Sequence, residues 1–141
     1  MGGELAIKPY AERDEAQVVA LWLAAFPNPA AHNDPRRSIQ RKLALQRELF
    51  LVGKIADHVV GTVMAGYDGH RGWIYSVAVS PAHQRNGIGG KLLKHAETAL
   101  RAMGCPKINL QILCTNAEVV AFYESCGYVV EERISMGKRM E

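Results

Sequence analysis

The stretch that most limits what this chain can become is Val77-Ala78-Val79-Ser80-Pro81-Ala82-His83-Gln84-Arg85-Asn86-Gly87-Ile88-Gly89-Gly90-Lys91-Leu92-Leu93. A β-rich run meets a turn at Ser80-Pro81, then a glycine-rich loop, then a helical pattern. Ile88, Leu92, Ala96, Ala99 and Leu100 line one face of that helix through Met103, and Gly104 stands where a helix commonly ends. Glycines let a backbone approach a ligand closely. The helix after the loop offers unpaired N–H groups and the positive end of its dipole. Together they form a seat for phosphate, to which Arg85 and Lys91 add full charges. A tight strand-to-helix turn with no ligand is the plainer alternative, but three glycines beside Arg85 exceed what such a turn needs.

Two familiar phosphate loops fail on spacing. A P-loop ending at Gly90-Lys91 requires glycine at position 85 and a hydroxyl at 92, where Arg85 and Leu92 stand. A dinucleotide fingerprint starting at Gly87 needs glycine at 92 as well, and it belongs in a first βα turn.

The rest of the chain reads as one α/β domain over 1–141, with no repeat or linker to divide it. Leu5–Lys8 is strand-like. Val18, Leu21, Trp22 and Ala25 form a helical stripe over Asp14–Ala25. Asn33 or Asp34 caps a second helix, with Pro35 in its first turn, running through Ile39, Leu43 and Leu45. Strands are expected at Leu49–Ile55, Val59–Ala65 and Trp73–Val79, the first two joined by a short turn at Ala56-Asp57-His58. After the glycine-loop helix come a strand through Ile108, Leu110 and Ile112, a helix over Ala117–Cys126 capped by Asn116, and a last strand over Tyr128–Met136.

Composition narrows function mostly by exclusion. The chain is 48% hydrophobic and 22% charged, ordinary for a globular domain, and no apolar run is long enough to span a bilayer. The start, Met1-Gly2-Gly3-Glu4-Leu5-Ala6, has the pattern of neither a secretory signal nor a myristoylation site, so a cytoplasmic location is expected. A formal charge of +3 is too small to indicate nucleic acid binding and mildly favours an anionic ligand. Cys105, Cys114 and Cys126 match no zinc or redox spacing. His32, His58, His70, His83 and His95 show no ligand pairing, so no metal is expected.

Gln84-Arg85-Asn86-Gly87-Ile88-Gly89 resembles the (Gln/Arg)-x-x-Gly-x-(Gly/Ala) signature of the GNAT family of N-acetyltransferases. Downstream, Asn116-Ala117 … Ala121-Phe122-Tyr123-Glu124 … Gly127-Tyr128 is similar to that family's closing segment. The order of elements agrees over nearly the whole chain. Gly66-Tyr67-Asp68-Gly69-His70-Arg71-Gly72 looks most like the small bacterial subgroup of YpeA-like and ribosomal-protein-alanine-acetyltransferase-like enzymes.

The resemblance implies a mixed, mainly antiparallel sheet of about six to seven strands flanked by four helices, with the fourth and fifth strands splayed around acetyl-coenzyme A (acetyl-CoA). The pyrophosphate would rest on the loop Gln84, Arg85, Asn86, Gly87, Ile88, Gly89, Gly90 and Lys91. Backbone groups of Val77, Ala78 and Val79, together with Asn116, would hold the pantetheine arm. Tyr123 would be the general acid toward the departing thiolate; packing beside Phe122 is its alternative role. The fourth strand lacks the acidic residue that some relatives use as general base, which leaves Asp68, His70 and Tyr75 as candidates, directly or through water. The acceptor would be a primary amine, on a small molecule or a peptide N-terminus, flanked by Phe26–Pro35 and the Asp68-Gly69-His70 turn. A coenzyme A-binding module without turnover and an enzyme using a longer acyl donor are the alternatives. Relatives commonly dimerise through the last strands, so a homodimer is also implied.

Overall fold

The computed structural model of the chain describes residues 3–26 and 34–140, apart from the side chain of Ser76. Asn33, His32 and most of the expected acceptor-flanking segment after Phe26 fall outside the described residues. The chain divides into two compact units, Met1–Leu110 and Gln111–Glu141.

In the first unit the elements run β1 (Ala6–Pro9), α1 (Glu15–Ala25), α2 (Pro35–Leu43), β2 (Phe50–Ile55), β3 (His58–Tyr67), β4 (Gly72–Val79), α3 (Ile88–Ala102) and β5 (Ile108–Leu110). The strands form one sheet in the order β1-β2-β3-β4-β5. The first three pairings are antiparallel and β4–β5 is parallel.

One face of the sheet carries a core built around Trp22, Phe50, Met64 and Tyr10 with Val18 and Ile39. Phe50 stacks on Tyr10 with ring centroids 4.6 Å apart. Buried beside it, Trp22 Nε1 donates to Thr62 Oγ1 at 2.8 Å, which ties α1 to β3. On the other face, Leu92, Leu93, Ala96 and Leu100 of α3 are buried. Gly61 lets that helix approach: a Cβ there would stand 2.7 Å from Leu92 Cδ1 and 3.1 Å from the carbonyl oxygen of Ala78.

The β2–β3 turn is tighter than expected, because β3 begins at His58 and only Ala56 and Asp57 remain between the strands. Both have positive φ, 50° and 65°, the mirror-image turn whose twist suits a hairpin. At its other end β3 continues to Tyr67, two residues past the expected Ala65. β2 starts opposite Met64, so side chains serve the overhang in its place. Lys42 Nζ donates to the Ala65 carbonyl. Gln46 accepts from Tyr67 N and donates to Tyr67 O, both at 2.8 Å. Burial holds the Lys42 ammonium below its ordinary pKa. α2 is capped by Asp34, whose Oδ1 accepts from Arg36 N at 3.2 Å, and it ends at Leu43, short of the expected Leu45.

In the second unit, α4 (Ala117–Ser125) is capped by Asn116, which accepts from Val119 N at 3.3 Å. Tyr128–Met136, expected as a strand, form no regular element within the second unit. Period-2 alternation fails there: Val129 and Val130 are adjacent, so they fall on opposite faces, and Glu131-Glu132-Arg133 follow as three successive charges. Val129 and Val130 are 77% and 76% exposed. The strand at Ile108 likewise stops at Leu110, before Ile112. Within the first unit the sheet has five strands. The α/β class, the mainly antiparallel pairing and the four helices are as expected. No described helix is long and apolar enough to cross a membrane.

Candidate cofactor and active site

The site begins with a change of phase in β4. At its start, Gly72 N donates to Lys107 O at 2.8 Å, facing β5. Past its end, Ser80 N donates to Val60 O at 2.8 Å, facing β3. Backbone direction alternates along a strand, so the two ends are out of step. The break lies where Thr62 pairs with Ala78 but Met64 pairs with Tyr75, which sets Ser76 and Val77 against Val63 alone. That is a β-bulge. It turns the N–H groups of Val77 and Val79 away from β3. β5 pairs with β4 through Gly72, Trp73 and Ile74, and within the first unit no strand pairs with this edge of β4 beyond Ile74. Ala78 has the opposite phase and faces β3. Its part in the site is to space the two outward-facing neighbours.

The next loop leads directly from this edge to α3. Gln84 Nε2 donates back to the Val79 carbonyl at 3.2 Å, which closes the loop onto the strand. Arg85 has φ +68° and Gly87 +76°, so two left-handed residues flank Asn86 and curve the amides into a concavity of the kind that holds anions. Gly87 caps α3 with no side chain. The first intrahelical bond runs from Lys91 N to Gly87 O at 3.1 Å, so the amides of Ile88, Gly89 and Gly90 have no acceptor within the helix. A Cβ at Gly87 or at Gly90 would meet nothing within 4 Å. Arg85, Asn86 and Lys91 are exposed and Ile88 is buried under the loop. Asn86 and Lys91 also line an open cleft of about 480 Å³ with Glu4, Leu5, Ile7 and Ile55. Open space, uncapped amides and two cations suit a pyrophosphate, and the outward amides of Val77 and Val79 suit a pantetheine arm.

Further back along β4 is a polar turn. Asp68 Oδ1 accepts from the backbone of His70 and of Arg71, each at 2.7 Å, and Oδ2 accepts from Trp73 Nε1 at 3.3 Å. The Arg71 and His70 amides hold its carboxyl below the usual range. A carboxylate so engaged organises its turn, and this counts against Asp68 as proton acceptor. His70 is exposed on the same turn. Tyr75 is 46% exposed, and burial of the rest, then the nearby Asp68 charge, pushes its phenol up.

In the second unit, Tyr123 is buried and meets Phe122 and Tyr128 edge-on, with centroids 5.0 and 5.7 Å away. Burial, with a smaller contribution from Cys126, pushes its phenol up to about 12. Asn116 uses its side-chain oxygen as a helix cap.

Sequence reasoning gave Trp73, Gly66 and Gln46 no part in the site. The alternation Trp73-Ile74-Tyr75 was a sufficient signal for two aromatic rings on one face. The bulge had none, because it depends on register between strands.

Comparison with known proteins places the chain in a family. Residues 16–128 match the profile of the acetyltransferase (GNAT) family. Acetyltransferase YE1169 of Yersinia enterocolitica is 37% identical over 137 residues, covering 96% of each chain. Among solved structures, Ard1 from Thermoplasma volcanium superposes with a TM-score of 0.78 at 21% identity, over 90% of this chain and 84% of that one. The aminoglycoside N-acetyltransferase AAC(6')-Iy in complex with CoA gives a TM-score of 0.80 at 14% identity, over 99% and 97%.

Proposed function

The chain belongs to the acetyltransferase (GNAT) family, and on that premise we propose that it is an acetyl-CoA-dependent N-acetyltransferase acting on a primary amine. The observation that carries this is the uncapped N-terminus of α3 placed directly after the open edge of β4. The CoA complex of the structural relative supports the choice of cofactor. The Gly66–Gly72 segment supports a place in the YpeA-like and ribosomal-protein-alanine-acetyltransferase-like subgroup.

Acetyl-CoA supplies the acetyl group as an activated thioester. The amides from Arg85 to Gly90 hold the pyrophosphate, with Arg85 and Lys91 balancing its charge. Val77 and Val79 donate to the arm and to the thioester oxygen, fixed donors where negative charge develops. Asn116 contacts the arm beside its capping role. His70 takes the proton that the amine must lose, directly or through a water. The C–N bond forms, the C–S bond breaks, and Tyr123 serves the departing sulfur. A phenol at about 12 is protonated at neutral pH, but it is a far weaker acid than a thiol of ordinary pKa about 8.5. Its main service is therefore a hydrogen bond that strengthens as charge grows on sulfur.

Thiol release with a panel of amines tests the reading. Tyr123→Phe should lower kcat about a hundredfold while leaving acetyl-CoA affinity nearly unchanged by calorimetry. Tight acetyl-CoA binding with no thiol release from any amine would favour a coenzyme A-binding module without turnover.

A further inference from the structure

Trp73 and Tyr75 alternate with Ile74, which is 4% exposed, so both rings stand on one face of β4. Across the pairing, Gly66 lies opposite Trp73 and Met64 opposite Tyr75. Gly66 leaves room for the phenol: a Cβ there would stand 2.5 Å from Tyr75 Oη. The Tyr75 ring thus leans along the sheet over bare backbone and stays 46% exposed. At the rim, Asp68 is fixed by two backbone donors on Oδ1, while among the described residues Oδ2 accepts from the Trp73 indole at a long 3.3 Å. Oδ2 keeps lone-pair capacity, and the carboxylate lies beside an indole that donates to it.

An aromatic floor with an anchored carboxylate at its edge is a receptor for a cation, through ring quadrupole and charge together. Its place on the strand fits the acceptor side. Tyr75 precedes Val77 by two residues across the bulge, under about 7 Å along β4, so a molecule held on this floor reaches the edge where the thioester would be polarised. A plain monoamine would leave the floor unused, because its one nitrogen must be neutral to attack.

We propose that Trp73, Tyr75 and Asp68 form a cation-binding subsite that selects acceptors carrying a second positive charge besides the amine to be acetylated, that is, aliphatic diamines and polyamines. The proposal rests on the acetyltransferase reading and extends it to the substrate class.

The test needs no turnover. The chain has two tryptophans, and Trp22 is 4% exposed and bonded to Thr62, so a ligand-dependent change in fluorescence reports Trp73. The free protein is titrated with spermidine and with butylamine. Spermidine should bind saturably and roughly ten times more tightly than butylamine, with the gap narrowing as salt is added. Asp68→Asn keeps an oxygen for the two backbone donors, so the turn persists, yet it should weaken spermidine about tenfold. Tyr75→Leu should weaken it about fivefold. Equal binding of the two amines, no spermidine response at millimolar concentration, or an unchanged affinity in Asp68→Asn would each overturn the proposal. Acetyl-CoA binding, measured on the same preparation, separates the two levels. If it is intact without a spermidine preference, only the subsite fails; if it is absent, the acetyltransferase reading fails and the subsite proposal with it.

Discussion

Tyr123 is the side chain whose chemistry the fold alters most. Its phenol is pushed up to about 12 from an ordinary value near 10. In the unfolded chain it would ionise near 10, while in the fold it keeps its proton longer. Its contribution to stability is thus fully present below about pH 10 and is lost as pH rises through about 12. A tyrosinate absorbance titration should show a step near 12, above the ordinary value of about 10, and Tyr123→Phe should remove that step. Alkaline unfolding should also be less steep in the variant between these limits. A variant titrating like the parent would place the raised phenol elsewhere. At this scale the sequence spoke unevenly. The glycines of the loop were marked by spacing and Tyr123 only by the family resemblance, while the engagement of Asp68 by its own turn had no mark, since a single carboxylate reads alike as base and as turn residue until its hydrogen bonds are known.

At the scale of elements, the α3 N-terminus is the piece on which the cofactor assignment depends. Gly87 has φ +76°, so Gly87→Ala should cost about 1 kcal/mol through backbone strain alone. Gly90 is within the helix and a Cβ there meets open space, so Gly90→Ala should instead stabilise by about 0.5–1 kcal/mol. Opposite shifts in melting temperature would check the boundary, and equal shifts would refute it. Gly61 governs how α3 sits on the sheet. Gly61→Ala drives a methyl into Leu92 and the Ala78 carbonyl and should destabilise by about 1–3 kcal/mol in a denaturant titration. The helices were legible from their cap and breaker residues, such as Asp34-Pro35, Gly104 and Asn116, and the central strands from apolar runs bounded by turn residues. The bulge in β4 was invisible: it is a property of two strands, Thr62–Met64 against Tyr75–Ala78, and no single run of residues encodes it.

For the molecule as a whole, the account predicts a chain of charge +3 that uses one concentrated anion seat, formed by the amides after Arg85 with Arg85 and Lys91 beside them. Such a seat should discriminate among phosphate ligands by the group attached beyond the phosphate, because the open edge at Val77 and Val79 accepts an extended arm and neither a nicotinamide nor a third phosphate. Thermal unfolding with acetyl-CoA, NAD and ATP in parallel is the most direct test. A ligand bound only by the folded state at about a hundred times its Kd adds about 2.7 kcal/mol, which for a domain of this size raises Tm by several degrees. The account predicts that rise with acetyl-CoA and none with NAD or ATP. No rise with millimolar acetyl-CoA, or an equal rise with all three, would contradict it.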